Sequence, residues 1–215
     1  MIVISYVDSD ISKLMRIASV FPQIEIRIDI CDFKPSQFKQ IFRNVTFSIA
    51  TYKGDYNRAK EILLEAIANG ANAIDFDYSW GIKNFINFKD SLIKIENNEN
   101  LQIILSNHSD VAIIQETGID ELMKDMKSFG TNYIKIVALN IDNLKRFNYL
   151  NQIMKLIDNK VTIFGDGKYG KKSRVYSYLY GAPICYAAYN RGSKVLDSQL
   201  SFSEYLLLLE ILNNA

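Results

Sequence analysis

Short apolar runs alternate with longer amphipathic stretches from one end of the chain to the other. Each run holds four to six largely apolar residues, many of them β-branched, which is typical of strands that are buried on both faces of a sheet. We expect eight strands, at Ile2–Ser5, Ile24–Asp29, Val45–Ala50, Ala73–Asp77, Gln102–Ser106, Tyr133–Val137, Val161–Phe164 and Pro183–Ala187.

The stretches between these runs have helical spacing. In the clearest one, Ala59, Ile62 and Ala66 recur at intervals of three and four residues and would lie on one face. We expect helices at Asp8–Val20, Lys34–Phe42, Asp55–Asn69, Trp80–Ile95, Asp110–Phe129, Asn140–Asp158, Gly170–Tyr180 and Ser201–Asn213.

Eight strand–helix units in one chain predict an α/β fold. We interpret them as a single (β/α)8 TIM barrel that spans residues 1–215 as one catalytic domain. The alternative is an open, doubly wound sheet. A nucleotide-binding sheet of that kind carries a glycine-rich phosphate loop after its first strand, and this chain has none there.

Composition limits the partners and the location that we expect. The chain has 215 residues, 48% of them hydrophobic, and a formal net charge of +1, so binding to nucleic acid or to an anionic membrane is not expected. Its first residues lack the features of a signal peptide, and no apolar run approaches the ~20 residues of a membrane helix. We therefore expect a cytoplasmic protein in which Cys31 and Cys185 are free, buried thiols.

The sequence surroundings of two residues, Lys135 and His108, indicate that they take part in catalysis. Lys135 stands in the middle of the apolar run Tyr133–Val137, and burial lowers the pKa of an amine, which favours its attack on a carbonyl. His108 is the only histidine and follows predicted strand five, where it could transfer protons near neutral pH. Each also has an ordinary structural interpretation, as a lysine on an edge strand and as a packing or surface histidine.

Charged residues collect at three further strand ends, where barrel enzymes bind their substrates. Glu25, Arg27 and Asp29 alternate with apolar residues, so they would either line a pocket or form the wet face of an edge strand. The loop Gly165–Arg174 is basic and rich in glycine, which suits an anion such as a carboxylate that its final arginine could bind. The loop Tyr189–Gln199 is long and polar and could cover a site.

Taken together, these motifs resemble one family, the type I 3-dehydroquinate dehydratases. The resemblance extends over nearly the whole chain, with each motif at the expected strand and in the expected order. It is carried by an E-x-R-x-D strand (Glu25, Arg27, Asp29), an acidic pair (Asp75, Asp77), S-x-H (Ser106, His108), a lysine strand (Lys135-Ile136-Val137), G-x-x-S-R (Gly170, Ser173, Arg174) and a final serine and glutamine (Ser193, Gln199).

The resemblance implies a lyase that dehydrates 3-dehydroquinate to 3-dehydroshikimate in the shikimate pathway of aromatic amino-acid biosynthesis. It implies that Lys135 forms a Schiff base with this small-molecule substrate and that His108 transfers the protons. It implies no metal or organic cofactor, and it implies a homodimer, with which the nearly all-apolar segment Tyr205–Leu212 agrees. The substrate-binding residues that it implies are Glu25, Arg27, Lys53, Arg174, Ser193 and Gln199.

The chain departs from the family pattern at three points. The family's final G-Q pair reads Ser198-Gln199 here, and the loop before it is about two residues longer. The family's T-x-R reads Thr51-Tyr52-Lys53 here, and a lysine lacks the planar fork of an arginine. The glutamate that orients the family's histidine has no clear counterpart, although Asp55, Asn57 or Asp77 could serve. Two alternatives therefore stay open: another Schiff-base barrel such as a class I aldolase, and a non-catalytic paralogue that only binds a ligand.

Overall fold

The computed structural model describes residues 1–95, 99–193 and 196–213, with side chains as far as residue 211. Lys194 and Val195 of the predicted covering loop lie outside the described residues. The strands are β1 (Ile2–Tyr6), β2 (Gln23–Arg27), β3 (Phe47–Thr51), β4 (Ala73–Asp77), β5 (Gln102–Asp110), β6 (Tyr133–Leu139), β7 (Val161–Gly165) and β8 (Cys185–Ala188).

Helices fill most of the intervals between the strands. They are α1 (Ile11–Ala18), α2 (Ile28–Cys31), α3 (Pro35–Phe42), α4 (Tyr56–Ala68), α5 (Gly81–Leu92), α6 (Val111–Thr117), α7 (Ile119–Ser128), α8 (Leu144–Met154), α9 (Gly170–Leu179) and α10 (Phe202–Asn213). Short 3₁₀ turns lie at Tyr78–Trp80 and Arg191–Ser193.

All eight strands are parallel neighbours in one sheet, in the order β7-β6-β5-β4-β3-β2-β1-β8. The two end strands approach each other, because Thr162 of β7 donates a 3.1 Å hydrogen bond through Oγ1 to the carbonyl oxygen of Ile184, just before β8. The sheet is thus a nearly closed barrel with helices between its strands. This confirms the predicted (β/α)8 TIM barrel over the open sheet.

The barrel interior has its own apolar core, separate from the core between strands and helices. Each strand of the closed part turns alternate side chains inward, and at one level these side chains are apolar. The inner core is formed by Val3, Ile49, Ala73, Ile104, Val137, Phe164, Ile184 and Tyr186. Two positions further along several strands, the inward side chains become polar, which places a polar layer at the C-terminal mouth.

Most predicted element bounds differ from the observed ones by a few residues, and three of the differences affect the mouth of the barrel or divide an element. The second strand ends at Arg27 rather than Asp29, because Ile28–Cys31 turns into the short helix α2. Strand β5 runs on to Asp110, paired with β6 throughout. The single helix predicted between β5 and β6 is two helices, which are separated at Gly118, a glycine with φ of 84°.

Two further expectations concern cysteines and membranes. Cys31 and Cys185 are both buried and unpaired, as predicted. Within the described residues, no helix combines the length and apolarity that crossing a bilayer requires.

Candidate active site

A layer of buried polar side chains lies directly above the inner apolar core. Val3 is followed two positions later by Ser5, Ile49 by Thr51, Ala73 by Asp75 and Ile104 by Ser106, so the same inward faces change from apolar to polar. Each of these polar residues is buried. Buried polar groups must find partners with one another, and here they form a continuous network around the barrel.

Lys135 lies within this layer. It is 7% exposed, and its ammonium nitrogen lies 3.1 Å from Asp75 Oδ2 and 3.8 Å from Glu25 Oε1. The nitrogen also lies 4.1 Å from the ring centroid of Tyr186. Because Lys135 belongs to β6, an inner strand of the barrel, the edge-strand interpretation is wrong. Besides the apolar residues of its own strand, two carboxylates lie beside the amine.

Asp75 is the centre of the network. It is fully buried and accepts hydrogen bonds from three side chains: Lys53 at 2.8 Å, Ser106 at 2.5 Å and Lys135 at 3.1 Å. Burial alone would raise the pKa of this carboxyl, but the positive charges of Lys53 and Lys135 outweigh it and hold the pKa far below its ordinary value. Asp75 therefore remains a carboxylate that links the buried amine of Lys135 with the partly buried amine of Lys53.

Lys53 binds to this network rather than to the open cavity. Its ammonium donates to Asp75 Oδ1, to Asp77 Oδ2 at 3.0 Å and to Ser106 Oγ at 2.6 Å. Desolvation lowers the pKa of Lys53, but the charges of Asp75 and Asp77 raise it by more. All three donor sites of the ammonium thus have partners on β4 and β5.

The charges on β2 line the interior, so the wet-edge interpretation of this strand is also wrong. Glu25 is buried and accepts hydrogen bonds from Ser5 at 2.7 Å and Thr51 at 3.0 Å. Arg27 makes two hydrogen bonds to Asp29, at 3.0 and 2.7 Å, although Asp29 lies on α2 and not on the strand. This bidentate pair fixes the guanidinium at the mouth.

His108 lies on β5 itself, two residues beyond Ser106 and on the same inward face. In register, Ser106 stands beside Lys135 and His108 beside Val137, so the imidazole is nearer the mouth than the amine. Desolvation, followed by the positive charges of Lys135 and Lys53, lowers the pKa of His108 to about 3. The ring is nevertheless exposed to solvent, and it is neutral near pH 7.

None of the residues suggested as orienting groups binds His108. Among the described residues, no side chain makes a hydrogen bond to its ring. Asp55 caps α4 by accepting from the backbone of Asn57 and Arg58, and Asp77 accepts from Lys53 and Ser79.

Arg174 and Gln199 come from the last two units of the barrel. Arg174 is 5% exposed, its guanidinium lies 4.1 Å from the ring centroid of Phe164, and desolvation lowers its pKa. Within the described part of the chain, its Nε is buried without a hydrogen-bond partner. Gln199 is buried and donates to Ser5 Oγ at 3.1 Å, which joins it to the Glu25 network.

A cavity of about 50 Å³ opens at the C-terminal mouth and brings most of these side chains together. It is lined by Ser5, Glu25, Arg27, His108, Lys135, Val137, Phe164, Arg174, Tyr186, Leu196 and Gln199. Sequence reasoning did not single out Ser5, Phe164 and Tyr186. Their signal is positional, because each is an inward residue near the C-terminal end of a strand.

Ser193 is not brought to this cavity. It lies in the 3₁₀ turn after β8, where its hydroxyl hydrogen-bonds with the backbone of Asn190, and it lines a separate surface groove beside Asp8 and Asp32. The residues that follow it, 194 and 195, are outside the described ranges. Its role in substrate binding remains a prediction.

The fold and the cavity together define a class of protein. In this (β/α)8 barrel, a buried lysine, a histidine and an arginine line one cavity at the C-terminal mouth, and the arginine Nε has no hydrogen-bond partner among the described residues. Such an arrangement is that of a barrel enzyme. The family model for type I 3-dehydroquinase matches residues 1–215. The chain therefore belongs to the type I 3-dehydroquinase family, which confirms the family predicted from its motifs.

Individual relatives agree with this assignment. A 3-dehydroquinate dehydratase of Dehalococcoides mccartyi is 24% identical over 165 residues, which cover 77% of this chain and 71% of the relative. That of Pyrococcus abyssi is 30% identical over 131 residues, covering 58% of this chain and 55% of the relative. The crystal structure of the Clostridium difficile type I enzyme, which carries covalently modified comenic acid, superposes with a TM-score of 0.74 at 16% identity, covering 99% and 92% of the two chains.

Proposed function

We propose that this chain, a member of a family of 3-dehydroquinate dehydratases, converts 3-dehydroquinate to 3-dehydroshikimate through a Schiff base on Lys135, with His108 as acid and base. One observation carries the proposal. Lys135 is buried in a cavity that His108 and Arg174 also line, so an amine, a proton carrier and a carboxylate-binding group surround one small space.

The covalent step begins on Lys135. In its neutral form, the amine attacks the C3 carbonyl of the substrate, and the resulting carbinolamine loses water to give a protonated imine. The proton that the ammonium must first release goes to solvent at the mouth, because the low pKa of Asp75 makes it a poor acceptor, and a proton returns as the carbinolamine loses water. The carboxylates of Asp75 and Glu25 lie within 4 Å of the nitrogen. Both carboxylates then neutralise the positive imine, which draws electrons away from C2 and makes its proton acidic.

His108 transfers the protons in the elimination. Its neutral imidazole removes the C2 proton and an enamine forms. The imidazolium then gives a proton to the C1 hydroxyl, which leaves as water and regenerates a neutral ring. Hydrolysis of the remaining imine releases 3-dehydroshikimate and Lys135, so the net change is the loss of one water.

Arg174 binds the substrate carboxylate. Its buried Nε has no hydrogen-bond partner in the described part of the chain, and a carboxylate accepts hydrogen bonds from a guanidinium in a bidentate manner. Gln199 adds a hydrogen bond to the carboxylate or to a hydroxyl, while Glu25 and Arg27 order the pocket and bind a ring hydroxyl. Lys53 holds Asp75 in place, because its three hydrogen bonds go to Asp75, Asp77 and Ser106.

We further propose that residues 1–215 form one domain that acts in the cytoplasm as a homodimer without a cofactor. The exposed apolar side chains of α10, Leu206, Leu207 and Ile211, support a second copy as partner. The side chain of Leu212 lies outside those described. A monomer mass by light scattering at working concentration would contradict the dimer.

Ultraviolet absorbance tests the function directly. Purified protein mixed with 3-dehydroquinate should produce the absorbance of a conjugated enone. His108→Ala should turn over about 10²–10⁴-fold more slowly. Cleavage of a sugar phosphate without dehydration would favour a class I aldolase, and binding without new absorbance would favour a non-catalytic paralogue.

A further inference from the structure

Tyr186 is a buried phenol to which the mechanism proposed above assigns no role. It is 4% exposed and lines the same cavity as Lys135 and Arg174. Among the described residues, its hydroxyl has no hydrogen-bond partner. Buried hydroxyls in folded proteins nearly always have one, so an unpartnered hydroxyl in a cavity indicates a ligand atom as the missing partner.

The ring of Tyr186 forms part of an aromatic floor between two cationic groups. The ammonium of Lys135 lies 4.1 Å from its ring centroid. Its neighbour Phe164, at 6.3 Å between centroids, carries the guanidinium of Arg174 at 4.1 Å. A cyclic molecule that is covalently bonded to Lys135 and hydrogen-bonded to Arg174 would therefore lie across the aromatic rings of Tyr186 and Phe164.

The charges near Tyr186 fix the direction in which its hydroxyl acts. Burial, followed by the negative charges of Glu25 and Asp75, raises the pKa of Tyr186 well above its ordinary value. The phenol therefore keeps its proton and donates it in a hydrogen bond, without transferring it. A substrate with a carbonyl and several ring hydroxyls offers suitable acceptor oxygens.

We propose that Tyr186 is a further specificity-determining residue. Its hydroxyl donates a hydrogen bond to a carbonyl or hydroxyl oxygen attached to the ring of the cyclic hydroxy acid that is held between Lys135 and Arg174. The inference rests on the proposed function for the identity of the substrate. The cavity therefore recognises a substrate oxygen that would have no hydrogen-bond donor if position 186 were phenylalanine, as position 164 is.

The test is Tyr186→Phe, which removes the hydroxyl and keeps the ring, with Tyr133→Phe as the matched control. Tyr133 packs against the same inner core without lining the cavity. Tyr186→Phe should lower kcat/KM for 3-dehydroquinate about tenfold. It should also raise Tm by about 2–4 °C, because an unpartnered buried hydroxyl is lost. Tyr133→Phe should leave kcat/KM unchanged.

A binding measurement separates this inference from the proposed function. Calorimetry with quinate, which lacks the carbonyl and cannot react, should give a dissociation constant about tenfold higher for Tyr186→Phe than for the wild type. If the wild type fails to dehydrate 3-dehydroquinate, the proposed function is wrong, and the quinate comparison still decides the hydrogen bond. Equal kcat/KM and equal quinate binding in both proteins, or a lower Tm in the variant, would overturn the inference.

Discussion

Lys135 donates a 3.1 Å hydrogen bond to Asp75 across the barrel interior, although the two residues are 60 positions apart in the chain. The bond connects β6 with β4 and joins the proposed nucleophile to a carboxylate that no solvent reaches. Lys53 occupies the other oxygen of the same carboxylate. The negative charge on Asp75 therefore stabilises the buried ammonium of Lys135 and the partly buried ammonium of Lys53 in the folded protein.

Neutralising Asp75 should destabilise the fold and abolish turnover. Asp75→Asn keeps the shape of the side chain but leaves the buried ammonium of Lys135 and the partly buried ammonium of Lys53 with less compensating charge. Breaking a buried pair such as Lys135–Asp75 typically costs about 3–5 kcal/mol. Urea unfolding at pH 7 measures the loss. Asp55→Asn is the control, because Asp55 is an exposed helix cap and asparagine caps equally well. Equal loss in both variants would refute the role assigned to Asp75.

Lys53 should act on the rate of reaction and not on substrate affinity. Its three hydrogen bonds position Asp75, and loss of such a supporting contact typically costs about 10- to 100-fold in activity. Lys53→Met should therefore lower kcat with little change in KM, and Lys53→Arg should restore part of it. If Lys53 instead bound the substrate, Lys53→Met would raise KM and leave kcat nearly constant.

Arg174 should control substrate affinity. Arg174→Met removes a buried guanidinium whose Nε has no partner among the described residues, so the free protein should lose no stability. KM for 3-dehydroquinate should rise about 10- to 100-fold through loss of charge-assisted hydrogen bonds. Arg174→Lys should not restore KM, because an ammonium lacks the bidentate fork. Unchanged KM in Arg174→Met would mean that the carboxylate binds elsewhere.

His108 should make stability depend on pH. Its pKa is lowered to about 3 in the folded protein, whereas an unfolded chain protonates histidine near its ordinary value of 6.5. As pH falls from 7 to 5, the unfolded chain takes up the proton first, so the free energy of unfolding decreases. His108→Gln cannot be protonated and should show a smaller decrease in chemical denaturation over this interval. Identical pH dependence in both proteins would contradict the pKa shift.

The sequence was sufficient for the barrel because strands buried on both faces leave an unmistakable apolar run. It was not sufficient for the end of β2, where Ile28 and Asp29 continue the alternation of the strand. The chain turns there into α2, and Asp29 binds Arg27 from outside the strand. Local pattern alone does not reveal such a contact.

Single strands were sufficient to indicate several residues that line the cavity. Glu25 and Arg27 were indicated by alternation along a strand, Lys135 by its place within an apolar run, and His108 as the sole histidine beside a strand end. The structure places all four around the cavity. The link from Asp75 to Lys53, Ser106 and Lys135 spans 22, 31 and 60 positions, so it required the closed barrel. The hydroxyl of Tyr186, which has no hydrogen-bond partner among the residues that the structure describes, likewise has no signature in sequence.

Borohydride reduction in the presence of 3-dehydroquinate, followed by peptide mass mapping, shows whether Lys135 forms the Schiff base. We expect one covalent adduct per chain on Lys135, none on Lys53 although it binds the same carboxylate, and none anywhere in Lys135→Arg. A wild-type protein that dehydrates the substrate while Lys135 remains unmodified would contradict the Schiff-base mechanism.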